Sequence, residues 1–508
     1  MPGACAICNQ PSFLICGGCK LFHYCSKDHQ RIHWKQAHKT ECHPLYKLEE
    51  NSKLGRYLTA ARDIQKGEVI FQESPLVIGP KSVTTPHCLG CHMPCDPNEY
   101  HECDGCGFPL CSARCQVSDY HMDECRLMMK ANFRASVDPA TKGVSYFPIV
   151  PLRCLLLKKK NPEKYKRLIN LQSHVDEKLD TPLFLVYRKN VVDFIRDRLG
   201  RTEFEEKDIL TVTGILDING FEIRGRNNAK LRGLYSLASM LAHDCTPNTR
   251  HNFLQPEMTI VIFATRNIQA GEAICATYTQ TFWDTSSRRQ HLKSVKCFEC
   301  ECERCSDPTE LGTYAGAIRC MKCTTPSDFQ NGPYVVPIEP LKFDSTWACE
   351  SCGHQMSSKQ IKAGNEDLKQ ELSRATIKTV QGLEGFLDKY GVYAAGLPNK
   401  ELIFIIKDLD DDVLDRKIEY CHELLDVVDI LDPGLSRIRG EILKELQAAM
   451  VVQTKRHYNL EKITQETAQK NLTDAIVIVK EAIEILRLDL DVEEFESLVQ
   501  TLSNILDD

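Results

Sequence analysis

Several features that would place this 508-residue chain in a membrane, outside the cell or on nucleic acid are missing from its sequence. No apolar run approaches the roughly 18 residues that a membrane-spanning helix needs. The first residues, MPGACAICNQ, lack the basic and then apolar order of a secretory signal. The formal net charge of −7 gives no overall basic field for nucleic acid. These absences predict an intracellular protein, and a hydrophobic content of 42% suits a globular chain of several domains.

Cysteine, by contrast, is abundant, with 26 residues that fall mostly in Cys-x2-Cys pairs. In a reducing compartment such thiols do not form stable disulfides. Two thiolates at this spacing can hold one tetrahedral Zn²⁺ from a short loop. The spacing therefore predicts zinc-binding modules rather than a disulfide framework.

The N-terminal segment contains eight potential metal ligands in four pairs, enough for two zinc ions. Pairing the first pair with the third, and the second with the fourth, predicts two interlocked sites. The first site has Cys5, Cys8, Cys25 and His29, and the second has Cys16, Cys19, His38 and Cys42. So short a module buries little apolar surface, so the metal must supply much of its folding energy. His33 is an alternative to His29, and isolated buried cysteines with surface histidines are the alternative to zinc.

A second segment repeats this order of ligands. Its predicted sites are Cys88, Cys91, Cys111 and Cys115, and Cys103, Cys106, His121 and Cys125. Cys95 is a spare thiol that could compete for a ligand position. The repeat predicts a second zinc module between residues 87 and 127.

Two further cysteine groups lie later in the chain. Cys300, Cys302 and Cys305 in CFECECERC supply three thiolates and leave the fourth ligand open. The last group, with the spacing of a zinc ribbon, consists of Cys320, Cys323, Cys349 and Cys352. Four thiolates indicate a closed, structural zinc site.

The stretches between the zinc modules separate into strand and helix patterns. The phrases around Lys66-Gly67 and around Ala270-Gly271 are similar, and each predicts a strand, a turn and a strand. Residues 128–215 and the part beyond residue 360 instead have apolar residues at helical spacing. This order predicts a β core that a zinc module interrupts, followed by helices packed in antiparallel pairs.

The order of these parts resembles the SET and MYND domain (SET–MYND) family of protein-lysine methyltransferases, from about residue 46 to 310. Tyr24 to Cys42 resembles a MYND zinc finger, a protein-interaction module, in which the family usually has cysteine at the position of His29. The extra N-terminal finger and the zinc ribbon resemble an arthropod-type branch. The resemblance implies an α+β fold with a β-rich SET core split by an inserted MYND finger, a post-SET zinc site, a zinc ribbon and a TPR-like α-helical C-terminal domain.

The resemblance and the patterns together predict eight parts of the chain. They are an N-terminal MYND finger (1–45), the first SET part (46–86), a second MYND-like finger (87–127), a helical insert (128–215), the second SET part (216–285), a post-SET zinc motif (286–310), a zinc ribbon (311–360) and a helical domain (361–508). The helical domain is expected either to bind peptides or only to pack on the core as a lid.

The resemblance also implies a site for S-adenosylmethionine and a substrate lysine. The cofactor-binding positions are Arg56, Tyr57, His174, Ala242, His243, Tyr278 and Phe298. Tyr278 in GEAICATY matches the catalytic tyrosine, although in isolation it reads as a tyrosine in the core of a strand. Phe221 and Lys296 match positions that line the lysine channel. Cys245 in LAHDC matches the fourth ligand of the Cys300 group, which brings the expected number of zinc ions to six.

Several positions of the SET part depart from the family's pattern, among them Asp244, which stands where the family has serine. Tyr57 stands where the family has the second glycine of Gly-x-Gly, which lets the backbone approach the cofactor closely. Ala242 stands where the family has asparagine, and its side chain forms no hydrogen bonds. Lys296 stands where the family often has an aromatic residue, and its charge repels an incoming ammonium group.

These observations leave two main hypotheses for function. One is an S-adenosylmethionine-dependent methyltransferase for histone or other protein lysines, acting in chromatin and transcription regulation. The other is a catalytically weak scaffold or corepressor that binds partner proteins through its fingers. DNA binding through the basic residues between Lys20 and Lys47, and a RING-type ubiquitin ligase, are weaker alternatives. The expected protein is a monomer of the cytoplasm and nucleus.

Overall fold

The computed structural model describes residues 3–12, 14–16, 18–19, 22–225, 229–323, 332–374 and 411–487, together with residues 497 and 500. Of the helical domain predicted for residues 361–508, residues 375–410 and most residues after 487 lie outside this range. No described helix is long and apolar enough to cross a membrane.

Module one, residues 3–42, consists of two short hairpins and a helical segment. Its strands are β1 (Gly3–Ala4), β2 (Pro11–Ser12), β3 (Leu14–Ile15) and β4 (His23–Tyr24). Helix α1 (Lys27–His33) begins at Ser26, whose hydroxyl accepts from the amide of His29 at 3.2 Å. The chain continues through a π-helical turn (Trp34–His38) into α2 (Lys39–Glu41). The hairpins present the Cys-x2-Cys turns, and the helical segment presents His29 and His38 beside them.

Module two, residues 87–130, interrupts the β core. The core begins with β5 (Tyr46–Asn51), β6 (Gly55–Ala60), β7 (Val69–Glu73), β8 (Val77–Pro80) and β9 (Val83–Thr84). Module two contains β10 (His101–Glu102), β11 (Pro109–Leu110), a 3₁₀ turn (Ala113–Val117) and α3 (Met122–Lys130). The buried guanidinium of Arg153 anchors it by donating to Glu124 Oε1 (3.0 Å) and Leu89 O (3.0 Å).

The chain between the two halves of the β core is mostly helical. After β12 (Val144–Ser145), its helices are α4 (Ile149–Lys160), α5 (Pro162–Ile169), α6 (Val175–Lys178), α7 (Pro182–Tyr187) and α8 (Glu206–Asn219). Two π-helical turns, Arg188–Val192 and Phe194–Arg198, precede α8. Helix α4 is buried over most of its length and α8 over its middle, and both share one apolar cluster with module two. The end of α8 leads directly into the second half of the β core.

The two halves of the β core share sheets although the insert separates them. The later strands are β13 (Gly220–Gly225), β14 (Ala229–Leu234), β15 (Ala242–His243), β16 (Thr249–Leu254), β17 (Thr259–Ala264) and β18 (Cys275–Ala276). Strand β8 pairs antiparallel with β14, and β7 pairs antiparallel with β17. Strands β15 and β18 pair in parallel. Apolar residues of both halves, including Phe71 and Ile262, form the common core.

The two similar strand–turn–strand phrases pack against each other as a symmetric pair. Gly67 and Gly271 both have a φ of +83°, which glycine adopts without strain. Ile64 and Ile268, three residues before each glycine, exchange main-chain hydrogen bonds of 2.8 and 2.9 Å. The repeated phrase therefore joins the two halves of the core.

The C-terminal parts are a small sheet and a set of helices. After α9 (Thr285–His291), a π-helical turn (Leu292–Lys296) and α10 (Glu303–Ser306), the sheet has β19 (Ile318–Arg319), β20 (Tyr334–Pro337), β21 (Trp347–Cys349) and β22 (Gln355–Met356). The described helices that follow are α11 (Ser358–Arg374), α12 (Asp411–Leu431), α13 (Arg437–Asn459) and α14 (Gln465–Leu486). Helices α12, α13 and α14 pack consecutively, and Arg250 of the core donates to Ile485 O (3.0 Å).

Candidate functional site

Cysteine and histidine side chains gather in groups of four whose ligand atoms all lie within 4.8 Å of one another. These groups are Cys5, Cys8, Cys25 and His29; Cys16, Cys19, His38 and Cys42; Cys88, Cys91, Cys111 and Cys115; Cys103, Cys106, His121 and Cys125; and Cys245, Cys300, Cys302 and Cys305. In the ribbon, Cys320 Sγ lies 3.7 Å from Cys352 Sγ, and Cys323 Sγ lies 3.8 Å from Cys349 Sγ. Both modules thus interlock their sites in the order that the spacing predicts.

The donor set and its dimensions fit zinc. A tetrahedral site with Zn–S bonds of about 2.3 Å places neighbouring sulfurs about 3.8 Å apart. The sulfur pairs are separated by 3.6 Å in Cys8–Cys25, Cys16–Cys42 and Cys103–Cys125, and by 3.5 Å in Cys245–Cys305. His33 and Cys95 stand outside the groups of their modules, and His33 Nδ1 lies instead 2.9 Å from the hydroxyl of Tyr24.

The Cys245 group is surrounded by buried charge. Arg288 is fully buried and donates from Nε to Cys245 Sγ (3.2 Å) and from a terminal nitrogen to Cys305 Sγ (3.5 Å). A second terminal nitrogen of Arg288 donates to Glu310 (2.7 Å), which also accepts from the buried Arg304 (3.0 Å). Four thiolates around Zn²⁺ carry a net charge of −2, so the guanidinium of Arg288 offsets part of that charge.

Tyr278 follows β18 and is fixed at both its backbone and its hydroxyl. Its amide donates to Nδ1 of His243 (3.0 Å), and its hydroxyl donates to the carbonyl of Leu241. Burial raises the pKa of Tyr278 above its ordinary value, so the hydroxyl stays protonated at neutral pH. A tyrosine held in this way can position a reacting group but does not act as a base.

Both ring nitrogens of His243 have protein partners. Because Nδ1 accepts from the Tyr278 amide, the neutral ring carries its proton on Nε2, which lies 3.3 Å from Cys245 Sγ. The ring centroids of Tyr278 and Phe298 lie 5.2 and 5.8 Å from that of His243. The His243 side chain thus couples the Cys245 group to Tyr278.

Asn248, rather than Ala242, provides the polar side chain beside the paired strands β15 and β18. The methyl group of Ala242 is buried, and the residue pairs with Cys275 across β15 and β18. The Asn248 side chain donates to Ala273 O (2.8 Å) and Glu272 Oε1 (3.0 Å) and accepts from the Cys275 amide (2.8 Å). The segments around β15 and β18 are therefore held together without any side-chain hydrogen bond at position 242.

Lys296 brings a cation close to Tyr278. Its Nζ donates to the carbonyl of Ile218 (2.5 Å) and lies 5.5 Å from the centroid of the Tyr278 ring. Burial, with smaller contributions from Arg232 and Lys178, lowers the pKa of Lys296 to about 8. Lys296 is thus mostly charged at neutral pH and loses its proton far more readily than an exposed lysine.

The remaining predicted aromatic positions differ in exposure. Phe221 packs edge-on against Tyr235 and His251, with centroid distances of 5.7 and 5.5 Å, at the border of the core that also contacts Tyr278. Phe298 is 36% exposed and faces the ring of His243. Tyr278 and Phe221 therefore border one core cluster, while Phe298 covers the other side of His243.

Two family models match this chain. A SET domain model matches residues 55–279, and a MYND finger model matches residues 5–42. The chain thus has one segment that matches a SET domain and one that matches a MYND finger. The matched SET segment contains Tyr278, His243 and Phe221, and the matched MYND segment contains both ligand groups of module one.

Curated relatives of this chain come from animals, plants and fungi. SET domain-containing protein SmydA-8, isoform B, of Drosophila melanogaster is 29% identical over 318 residues, covering 61% of this chain and 67% of the relative. Histone-lysine N-methyltransferase ASHR1 of Arabidopsis thaliana is 27% identical over 50% of this chain and 53% of the relative. Histone-lysine N-methyltransferase SMYD3 of Homo sapiens is 26% identical over 50% of this chain and 60% of the relative.

The matches thus span about half to two thirds of the length of these relatives. Among solved structures, the SET domain of LSMT bound to lysine and AdoHcy aligns over 93% of this chain and 92% of that chain. Its identity is 12% and its TM-score is 0.29.

The predicted cofactor loop of the SET domain lies against the segment that contains His174. Gly55 has a φ of +65°, the guanidinium of Arg56 donates to Asn170 O (2.5 Å), and Tyr57 points its hydroxyl toward Glu49 (3.4 Å). His174 adopts a left-handed conformation with a φ of +48°. The structure therefore brings Arg56 close to this segment.

Four charged residues with buried side chains, in and after the segment that matches the SET domain, were missed by sequence reasoning. They are Asp217, Arg288, Arg304 and Glu310. Charged residues in a single sequence usually indicate solvent-exposed faces, so nothing in their local pattern marked them as buried. The one available signal was the position of Arg288 and Arg304 within the cysteine-rich segment.

Proposed function

We propose that this protein is an S-adenosylmethionine-dependent protein-lysine N-methyltransferase. The observation that carries the proposal is the arrangement of Tyr278, His243 and Phe298 beside the Cys245 group. Relatives named as histone-lysine N-methyltransferases support the same reaction. Histone lysines and other protein lysines are the substrate class that follows.

The side chains supply alignment more than acid–base chemistry. S-adenosylmethionine, when bound, supplies an electrophilic methyl group. The nucleophile must be a neutral amine, although a free lysine has a pKa of about 10.4. A channel bordered by Phe221 and Tyr278 disfavours the ammonium form by excluding water. Tyr278, through its protonated hydroxyl, and the carbonyl of Leu241 would orient the amine.

The predicted cofactor positions form one proposed site. They are Arg56, Tyr57, His174, Ala242, His243, Tyr278 and Phe298. The main chain at Ala242 and His243, with the exposed ring of Phe298, would hold the cofactor, because the His243 ring already has protein partners. Zinc at the Cys245 group would keep Phe298 in place, since Phe298 lies two residues before Cys300, a member of that group.

We also propose that the chain belongs to the arthropod-type branch of the family. Module two is proposed to be a second MYND-like finger. Its two ligand groups have the interlocked order of module one. Each module exposes large apolar side chains, such as Trp34 (40%) in module one and Val117 (72%) in module two. Exposed apolar side chains on small zinc-held modules favour contacts with partner proteins. The same proposal includes that the protein acts on chromatin and that it is present in the cytoplasm and the nucleus.

A scaffold with lost catalysis is the second candidate, and specific observations favour it. Ala242 removes a hydrogen-bonding side chain, and Lys296 places a cation beside Tyr278. In that case the fingers would act without the SET site. The enzyme proposal requires methyl transfer that depends on Tyr278, whereas the scaffold proposal requires no methyl transfer.

Methyl transfer from radiolabelled S-adenosylmethionine to core histones tests the enzyme proposal. We expect incorporation by the wild type and a loss of about 100-fold in Tyr278→Phe, because one preorganised donor is removed. Tyr235→Phe is the matched control, since Tyr235 also donates its hydroxyl to a main-chain carbonyl, that of Met258. Equal incorporation by wild type and Tyr278→Phe would contradict the enzymatic role.

A further inference from the structure

Lys296 occupies a place that is built like a binding site for an alkylammonium group. Its Nζ has a main-chain acceptor at 2.5 Å, Ile218 O, and an aromatic face at 5.5 Å, that of Tyr278. A carbonyl together with an aromatic face is the combination that recognises a lysine side chain. The chain therefore provides its own lysine at the wall of the channel proposed for the substrate lysine.

The end of helix α8 supplies negative potential that offsets part of the cost of burying a cation here. Ile218 lies in the last turn of α8 (Glu206–Asn219), where carbonyls lack partners within the helix. The helix dipole adds negative potential at the same end. These groups offset part of the cost of burying an ammonium group, whether it belongs to Lys296 or to another molecule.

The buried carboxylate of Asp217, beside this helix end, can accept a further hydrogen bond. Asp217 Oδ1 accepts from the Tyr187 hydroxyl (2.7 Å) and from Arg232 (3.0 Å). Asp217 Oδ2 is buried and has no hydrogen-bond partner among the described residues. Since the Asp217 side chain is only 6% exposed, a further cation near it would be compensated.

The backbone that carries Lys296 is held independently of its side chain. Lys178 donates from Nζ to the carbonyl of Val295 (2.8 Å), and the left-handed Cys297 follows with a φ of +63°. The flexible four-carbon stem of Lys296 can therefore move while its main chain stays in place.

We propose that the ammonium group of Lys296 is an internal ligand of the lysine channel and that it must be displaced before a substrate lysine enters. This inference rests on the proposed methyltransferase function and adds a regulatory element to the same site. A substrate lysine would compete with Lys296 for Ile218 O and for the face of Tyr278. The competition lowers the affinity for substrate and leaves the cofactor site unchanged.

Binding of Nα-acetyl-lysine amide to the zinc-loaded full-length protein tests the proposal by calorimetry, with and without S-adenosylhomocysteine. We expect Lys296→Met to bind the amine at least about tenfold more tightly than wild type, because a like charge has been removed. Lys293→Met is the control, since Lys293 lies in the same π-helical turn but is exposed and pairs with Glu299 (2.6 Å). Lys296→Gln, which keeps a donor for Ile218 O, covers the case in which Lys296→Met does not fold.

The outcomes separate this inference from the proposed function. Equal amine affinity in wild type, Lys296→Met and Lys296→Gln would overturn it, and Lys296 would then be a structural cap of α8. Tighter amine binding in both variants supports it even if S-adenosylmethionine does not bind, in which case the enzyme proposal alone fails.

Discussion

At the scale of single residues, position 242 tests how many side-chain contacts the proposed cofactor site offers. Ala242→Asn restores a side chain that can donate and accept beside His243. We expect up to about tenfold tighter binding of S-adenosylmethionine, the worth of one hydrogen bond, in a calorimetric titration. Ala242→Leu, of similar size but without polar atoms, should give no gain. If Ala242→Asn binds like wild type, another group has taken over this contact.

The charge of Lys296 gives the site a specific pH dependence. Burial, with Arg232 and Lys178 adding and Asp217 opposing, lowers the pKa of Lys296 to about 8. As the pH rises through that value, Lys296 loses its charge, and repulsion of an incoming ammonium group disappears. We therefore expect the wild-type rate to rise more steeply between about pH 7 and 9 than the Lys296→Met rate. Parallel pH–rate profiles would exclude an effect of Lys296 titration.

The buried Arg288 is expected to control how firmly the Cys245 group holds zinc. Arg288→Met removes the positive charge that faces Cys245 and Cys305 and leaves Glu310 with one guanidinium fewer. We expect a loss of about 10- to 100-fold in zinc affinity at this site, measured with a competing chelator. Arg289→Met is the control, because Arg289 is also buried but donates to the carbonyl of Cys300 at 2.9 Å. If Arg288→Met holds zinc no more weakly than the Arg289→Met control, this role of Arg288 would be contradicted.

At the scale of elements, the two repeated turns act as one joint between the halves of the SET domain. The amide of Lys66 donates to the Asn267 side chain (2.8 Å), and the amide of Ala270 donates to the Asp63 side chain (2.8 Å). The interaction is therefore reciprocal. The sequence identifies both turns by their Gly-Glu phrase, but it does not show that they pair, since pairing depends on the sheet register.

The positive φ of both glycines yields a paired prediction for stability. Gly67→Ala and Gly271→Ala should each lower the free energy of unfolding by about 1 to 2 kcal/mol, because a φ of +83° strains an L-residue. Urea denaturation of both variants measures this. Gly364→Ala is the control, since Gly364 lies within helix α11 and an added Cβ has no neighbour within 4 Å. A cost confined to one of the two turns would contradict their equivalence.

The sequence predicts an element or a ligand group best when the residues that form it lie close together in the chain. Five ligand groups could be predicted almost without tertiary information, because each consists of two pairs whose members are three or four residues apart in the chain. Cys245 required the family resemblance, since 55 residues separate it from Cys300. The contacts of Asp217, Arg288 and Glu310 could not be predicted, because they depend on how α8, α9 and the post-SET segment pack.

At the scale of the whole molecule, zinc links the folding of separate parts. Module one has a small buried cluster, formed by Cys16, Cys19 and Tyr24, so it depends on metal for its stability. The Cys245 group instead joins the SET domain to the post-SET segment. We expect chelation to unfold module one and to abolish cofactor binding, as followed by circular dichroism and calorimetry. Zinc added back should restore both, and cofactor binding that persists in fully zinc-free protein would contradict this link.

The affinity of the zinc-loaded full-length protein for S-adenosylmethionine is the measurement that tests the account most directly. Calorimetric titration should give saturable binding of one molecule per chain, with an affinity that Ala242→Asn increases and Lys296→Met leaves unchanged. No detectable binding at millimolar S-adenosylmethionine would contradict the enzyme assignment and leave a SET-shaped scaffold that carries zinc fingers.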